Sequence, residues 1–65
     1  MKQTIRDEKG RVACVADPLT GIIEIKYNKI FVQTVLEIGK SLTIERDGSV
    51  TTLTRLSVGD FHIAT

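Results

Sequence analysis

The sequence predicts an all-β domain, a small barrel or a twisted antiparallel meander of five to seven short strands. Two observations carry this expectation. Glycines fall at 10, 21, 39, 48 and 59, with Asn28 in the longest interval, and turn signals recurring every ~8–12 residues mark a chain of short strands. The segments between them are rich in Ile, Val and Thr, which suit a half-buried pleated surface. The whole of 1–65 reads as a single small β domain.

The elements follow in order. Gln3 to Ile5 is a possible first strand, ending at the charged turn Asp7-Glu8-Lys9-Gly10. Arg11 to Val15 comes next, with Val12 and Cys14 on one face and Ala13 and Val15 on the other. Asp17-Pro18-Leu19-Thr20-Gly21 has the composition of a loop. Beyond it Ile23, Ile25 and Tyr27 alternate with Ile22, Glu24 and Lys26.

Lys29 to Ile38 admits two readings. As a strand, it places Ile30, Val32, Thr34, Leu36 and Ile38 on one face. As a short helix over 29–38, with Asn28 as N-cap and Gly39 as C′ residue, it would make the domain α+β. Five β-branched residues, Ile30, Val32, Thr34, Val35 and Ile38, favour the strand, because each loses χ1 freedom in a helix.

Ser41 to Arg46 puts Leu42 and Ile44 inward. Asp47-Gly48 then provides the best hairpin signal in the chain, since both residues tolerate the positive φ of a type I′ turn. The returning strand, Val50 to Leu56, breaks strict alternation at Thr51-Thr52-Leu53, and a bulge there would turn both Val50 and Leu53 to the core. After Gly59-Asp60, Phe61 and Ile63 face inward on a last strand and His62 faces out.

Composition narrows the functional classes. Cys14 is the only cysteine and His62 the only histidine, so an intrachain disulfide is impossible and a four-ligand zinc site lacks its usual donors. No cofactor is expected. No apolar run approaches the ~20 residues of a membrane span, and Met1-Lys2-Gln3-Thr4 does not resemble a signal peptide. No membrane association is expected, and cytoplasmic localisation is. Net charge is +1, from nine Lys and Arg against eight Asp and Glu, which argues against a nucleic-acid partner.

Candidate chemistry is sparse. Cys14 lies between Ala13 and Val15, an apolar setting that suits packing better than nucleophilic reactivity. A Cys14–His62 pair requires the last strand to lie beside Arg11–Val15. Glu24, Glu37, Glu45 and Asp60 read as solvated carboxylates. The run Ile38-Gly39-Lys40-Ser41 echoes the end of a phosphate-binding loop, but Thr34 stands where the first glycine belongs. Thr51, Thr52 and Thr54, with Thr43 across the turn, suggest a ladder of hydroxyls.

These readings lead to a noncatalytic protein-binding or assembly module, not an enzyme, and a homo-oligomer. The possible interaction surface comprises Ile22 and Phe31, which strand alternation sets opposite their inward neighbours, with the cations Lys26, Arg46 and Arg55. The alternative is a small β-barrel nucleic-acid-binding protein, which clustering of those cations beside exposed Tyr27 or Phe31 would favour.

Overall fold

The computed structural model describes residues 2–65. Seven antiparallel strands form two sheets: β1 (Gln3–Arg6), β2 (Val12–Ala16), β3 (Ile22–Tyr27) and β4 (Ile30–Val35) in one, β5 (Ser41–Arg46), β6 (Ser49–Ser57) and β7 (Asp60–Ala64) in the other. Strand order follows chain order in both sheets. The domain is therefore a meander folded into two layers, not a closed barrel. Residues 29–38 contain β4 and a turn, and no helix.

The core between the layers is small. Ile5, Cys14, Ala16 and Ile23 from the first sheet meet Leu53 from the second, with Leu36 from the β4–β5 connection. Ile25, Leu42, Ile44, Phe61 and Ile63 pack around them. His62 is exposed, as the alternation of β7 requires. On β2, Cys14 pairs with Ile5 and Val12 with Arg6. Ala13 is thus an extra residue on that strand, and the irregularity lets Ala13 and Cys14 both be buried.

Turn chemistry sets the β5–β6 register. Asp47 and Gly48 take φ of 49° and 81°, the positive pair of a type I′ turn. From there β5 and β6 pair without interruption, Arg46↔Ser49 to Ser41↔Thr54. This overturns the expected bulge at Thr51–Leu53. Thr51, Leu53 and Arg55 all point inward and Val50 is exposed, because an unbroken ladder preserves the two-residue period. The irregularity in β6 lies instead between Arg55 and Ser57, opposite β7. On the outer face the hydroxyl ladder forms, with Ser41 Oγ 2.8 Å from Thr54 Oγ1 and Thr43 Oγ1 3.3 Å from Thr52 Oγ1.

Arg55 joins the two sheets. It is 7% exposed, and its guanidinium donates to the main-chain oxygens of Leu19 at 3.0 Å and Leu36 at 3.1 Å. Its main-chain nitrogen donates to Lys40 O at 3.0 Å, and its oxygen accepts from Gly39 N at 2.7 Å. One residue thus ties β6 to the β2–β3 loop and to the β4–β5 connection. Gly21 makes the close approach feasible. Its φ is +80°, and a Cβ there would collide with Leu36 O and the Arg55 guanidinium.

Two substitutions separate this junction from ordinary turn strain. Gly21→Ala is expected to lower unfolding free energy by about 3 kcal/mol, combining left-handed backbone strain with the collision. Gly10→Ala has the same φ but open space around it, so it costs only about 1–2 kcal/mol. Urea unfolding of both variants checks this. Equal losses would show that the contact with Arg55 contributes nothing.

Candidate functional site

The first sheet forks. β2 and β3 pair only at Val15↔Glu24 and Ala16↔Ile23, whereas β3 and β4 pair along their full length, Ile22↔Val35 to Tyr27↔Ile30. The distal β3–β4 hairpin is therefore an arm that parts from β2 while its inner face, with Ile25, still packs toward the second sheet. Asn28, with φ 55°, turns its tip, a conformation that asparagine tolerates better than most residues.

All six residues of β4 are exposed. Ile30, Phe31, Val32 and Val35 are 63%, 50%, 47% and 62% exposed. The pairing places Ile30, Val32 and Thr34 on the inner face with Ile23 and Ile25, and Phe31, Gln33 and Val35 on the outer face with Ile22 and Lys26. The inner side of β4 stays open because the second sheet has three strands against four. β4 is also a sheet edge and carries no charged residue.

Cations meet aromatic rings on both faces of the arm. On the outer face Lys26 Nζ lies 5.7 Å from the Phe31 ring centroid. On the inner face Arg46 Cζ lies 4.7 Å from that of Tyr27, so the arm is held to the second sheet by a cation–π contact worth about 0.5–1 kcal/mol.

Where the arm parts from β2, a cavity of about 310 Å³ opens between the sheets, lined by Val12, Ala13, Ile25, Tyr27, Ile44, Arg46 and Thr51 among others. A groove of about 210 Å³ opens on the other side of the fork, along Val12, Val15, Glu24 and Lys26. One end of the cavity is closed by a polar clasp. Asp7, itself buried, accepts from the main-chain nitrogens of Lys9 and Arg11 at 2.9 and 3.0 Å and from Arg11 Nε at 3.0 Å. Arg11 also donates to Asp47 Oδ2 at 2.9 Å and to Arg46 O at 3.2 Å. Burial opposes the Asp7 charge, but these donors outweigh it and hold the carboxyl below its ordinary value.

The residues expected at an interaction surface are thus divided. Ile22 and Phe31 share the outer face of the arm, at opposite ends, and Lys26 sits beside Phe31. Arg46 belongs to the inner side, against Tyr27. Arg55 is a correction: it is buried among main-chain oxygens and presents no charge at the surface. Its alternation with Leu53 was the available signal. The Asp7–Arg11 pair had a weaker one, opposite charges four residues apart across a tight turn. The cavity had none, since it depends on where β2 and β3 part.

The remaining candidates are dispersed. β7 pairs with β6, and Cys14 and His62 are not brought together. Glu24 pairs with Lys2 at 2.7 Å, whereas Glu37, Glu45 and Asp60 are exposed. Gly39 lies in a turn closed by Lys40 N donating to Glu37 O at 3.0 Å. Among the described residues, no group of three or more His, Cys, Asp or Glu side chains is placed to hold a metal ion, and no helix is long and apolar enough to cross a membrane. Comparison with protein-family models, with curated proteins and with solved structures returned no match for the chain.

Two measurements test the electrostatics. Because the folded carboxyl of Asp7 titrates below its ordinary 3.8, its stabilising contribution is present above about pH 4 and is lost as pH falls through the folded value. Asp17 is depressed too, chiefly by the Leu19 main-chain N–H. Asp7→Asn should therefore make the acid-side decline in Tm shallower without abolishing it; an unchanged profile would remove Asp7 from the account. Cys14 is 1% exposed and burial pushes its thiol up to about 11. Thiolate at neutral pH is then on the order of one part in ten thousand. A thiol reagent should label the native protein at least ~100-fold more slowly than the denatured chain, and comparable rates would refute the burial.

Proposed function

We propose that this protein is a noncatalytic assembly module that self-associates through β4. The observation that carries the proposal is that every residue of this uncharged edge strand is exposed. An edge of that kind is a template for another strand unless it is covered, and charges or prolines usually guard it. Neither occurs in Ile30–Val35.

A second copy fits the edge by symmetry. Two β4 strands meeting antiparallel about a twofold axis present the same sequence to each other, the isologous arrangement commonest among oligomers. Full burial of an aliphatic or aromatic side chain is worth about 1.5–3 kcal/mol, so covering one that is half exposed contributes about 1 kcal/mol. Four such side chains per copy, with the added main-chain ladder, compete with the 8.2 kcal/mol that defines micromolar affinity and with the entropy lost on association. Ile22 and Phe31 extend the contact onto the outer face. The single unpaired Cys14 suits a reducing, cytoplasmic setting.

One observation favours a second reading. Tyr27 and Phe31 are exposed and each has a cation beside it, the combination that binds single-stranded nucleic acid by stacking. It ranks lower because the two pairs lie on opposite faces of the arm, Arg55 contributes nothing, and the net charge is only +1.

Sedimentation equilibrium tests the assembly directly. The protein should be dimeric at micromolar concentration, and Val32→Lys, which puts a charge near the twofold axis, should raise the dissociation constant about 100-fold or more. An exposed substitution of this kind leaves folding within about 0.5 kcal/mol, which circular dichroism confirms. A monomeric mass at high micromolar concentration sinks the assembly reading. Salt-sensitive binding of a fluorescent oligothymidine would then favour the nucleic-acid one.

A further inference from the structure

The inner face of the second sheet changes character along its length. Near the β4–β5 connection it presents Leu42, Leu53, Phe61 and Ile63, and near the Asp47-Gly48 turn it presents Arg46, Ser49 and Thr51. Thr51 is 1% exposed, yet its hydroxyl has no hydrogen-bond partner among the described residues, and the same holds for Arg46 Nε. In so small a core, a buried polar atom left unpaired is costly, and valine would fill the place of Thr51 without that penalty. Such local conflicts concentrate at functional sites. Both residues line the cavity beneath the arm.

We infer that this cavity binds a small monocarboxylate with a compact apolar or aromatic body. Its volume of about 310 Å³ is at the lower end of ligand pockets, which suits a molecule of roughly ten non-hydrogen atoms. Val12, Ile25 and Ile44 supply apolar walls, and the Tyr27 ring supplies a flat one. Charge selects the head group. Of the three carboxylates at the cavity, Asp7 and Asp47 are engaged by Arg11, and Glu45 is exposed, turned by strand alternation away from Ile44 and Arg46. Lys26 and Arg46 bring two cations that have no ion pair among the described residues. The carboxylate accepts from the Arg46 guanidinium and from the Thr51 hydroxyl, satisfying two groups that the fold leaves unmatched. Thr51 Oγ1 and Arg46 Nε are closed to solvent, so binding requires the arm, joined to β2 at only two residue pairs, to move aside as the ligand enters. This site is independent of the assembly surface, since none of its lining residues is on β4.

The test is a titration of the ¹⁵N-labelled protein with sodium benzoate, using benzyl alcohol as a neutral probe of similar shape. Benzoate should shift the amides of Ile25, Arg46 and Thr51 and the Arg46 Nε–H resonance saturably at millimolar concentration or below. Benzyl alcohol should bind about tenfold more weakly, the worth of one charge-assisted hydrogen bond. Thr51→Val should raise Tm, by removing an unpaired hydroxyl, and at the same time weaken benzoate binding about tenfold. Arg46→Gln should abolish the preference for the anion. Shifts that stay linear to tens of millimolar, equal affinity for the two probes, or unaltered binding by Thr51→Val would each overturn the inference.

Discussion

The two layers of this protein are held in register by a buried guanidinium. A core of Ile5, Cys14, Ala16, Ile23, Leu36 and Leu53 is non-directional and does not determine which residue of one sheet lies over which of the other. Arg55 does. Its side chain reaches the Leu19 and Leu36 oxygens while its main chain pairs with Gly39 and Lys40, so β6, the β2–β3 loop and the β4–β5 connection meet at one place. Leu36 N donating to Gly21 O at 2.7 Å and Gly59 N to Pro18 O at 2.9 Å close the same junction. Hydrogen bonds to a charged donor in a shielded site are stronger than neutral ones, and their geometry is specific where apolar packing is not.

This junction lies at one end of the sandwich, and its position accounts for the freedom of the other. Near Arg55, β3 begins and β4 ends within hydrogen-bonded loops. Farther along, β3 has left β2, and the arm is fastened by the contact of Arg46 with Tyr27. The Asp7–Arg11–Asp47 clasp holds the β1–β2 turn to the β5–β6 turn but does not reach the arm. The fork is thus framed by two polar fastenings with a cavity between them. Stability is unevenly distributed in such an arrangement, and the parts with few buried contacts are those that open first.

The strand pattern was legible in the sequence because it rests on local chemistry. Asp47-Gly48 specified a turn and thereby a register, and β-branched residues at 30, 32, 34 and 35 decided strand over helix. Leu42, Ile44, Phe61 and Ile63 face inward as alternation requires. Reading failed where a polar residue occupies an inward position. Thr51 argues for a bulge and Arg55 for a surface position, because polarity ordinarily signals exposure. Both are inward because the turn had already set the period. At the site, Phe31 beside Lys26 was accessible from pairing geometry, whereas Arg46 against Tyr27 joins different sheets and had no local signature.

By itself, then, the sequence determined the all-β class, the strands, and the hairpins closed by tight turns, since each depends on interactions among residues near in the chain. The separation into two layers, the partial pairing of β2 with β3, the overhang of β4, and the cavity beneath the arm were decided by tertiary structure. These features arise from contacts between residues as far apart as Leu19 and Arg55 or Arg11 and Asp47. Their physical cause is that four strands cannot be covered by three. The uncovered strand is the one tied to the core only at its end, where Leu36 and Gly39 join the Arg55 junction.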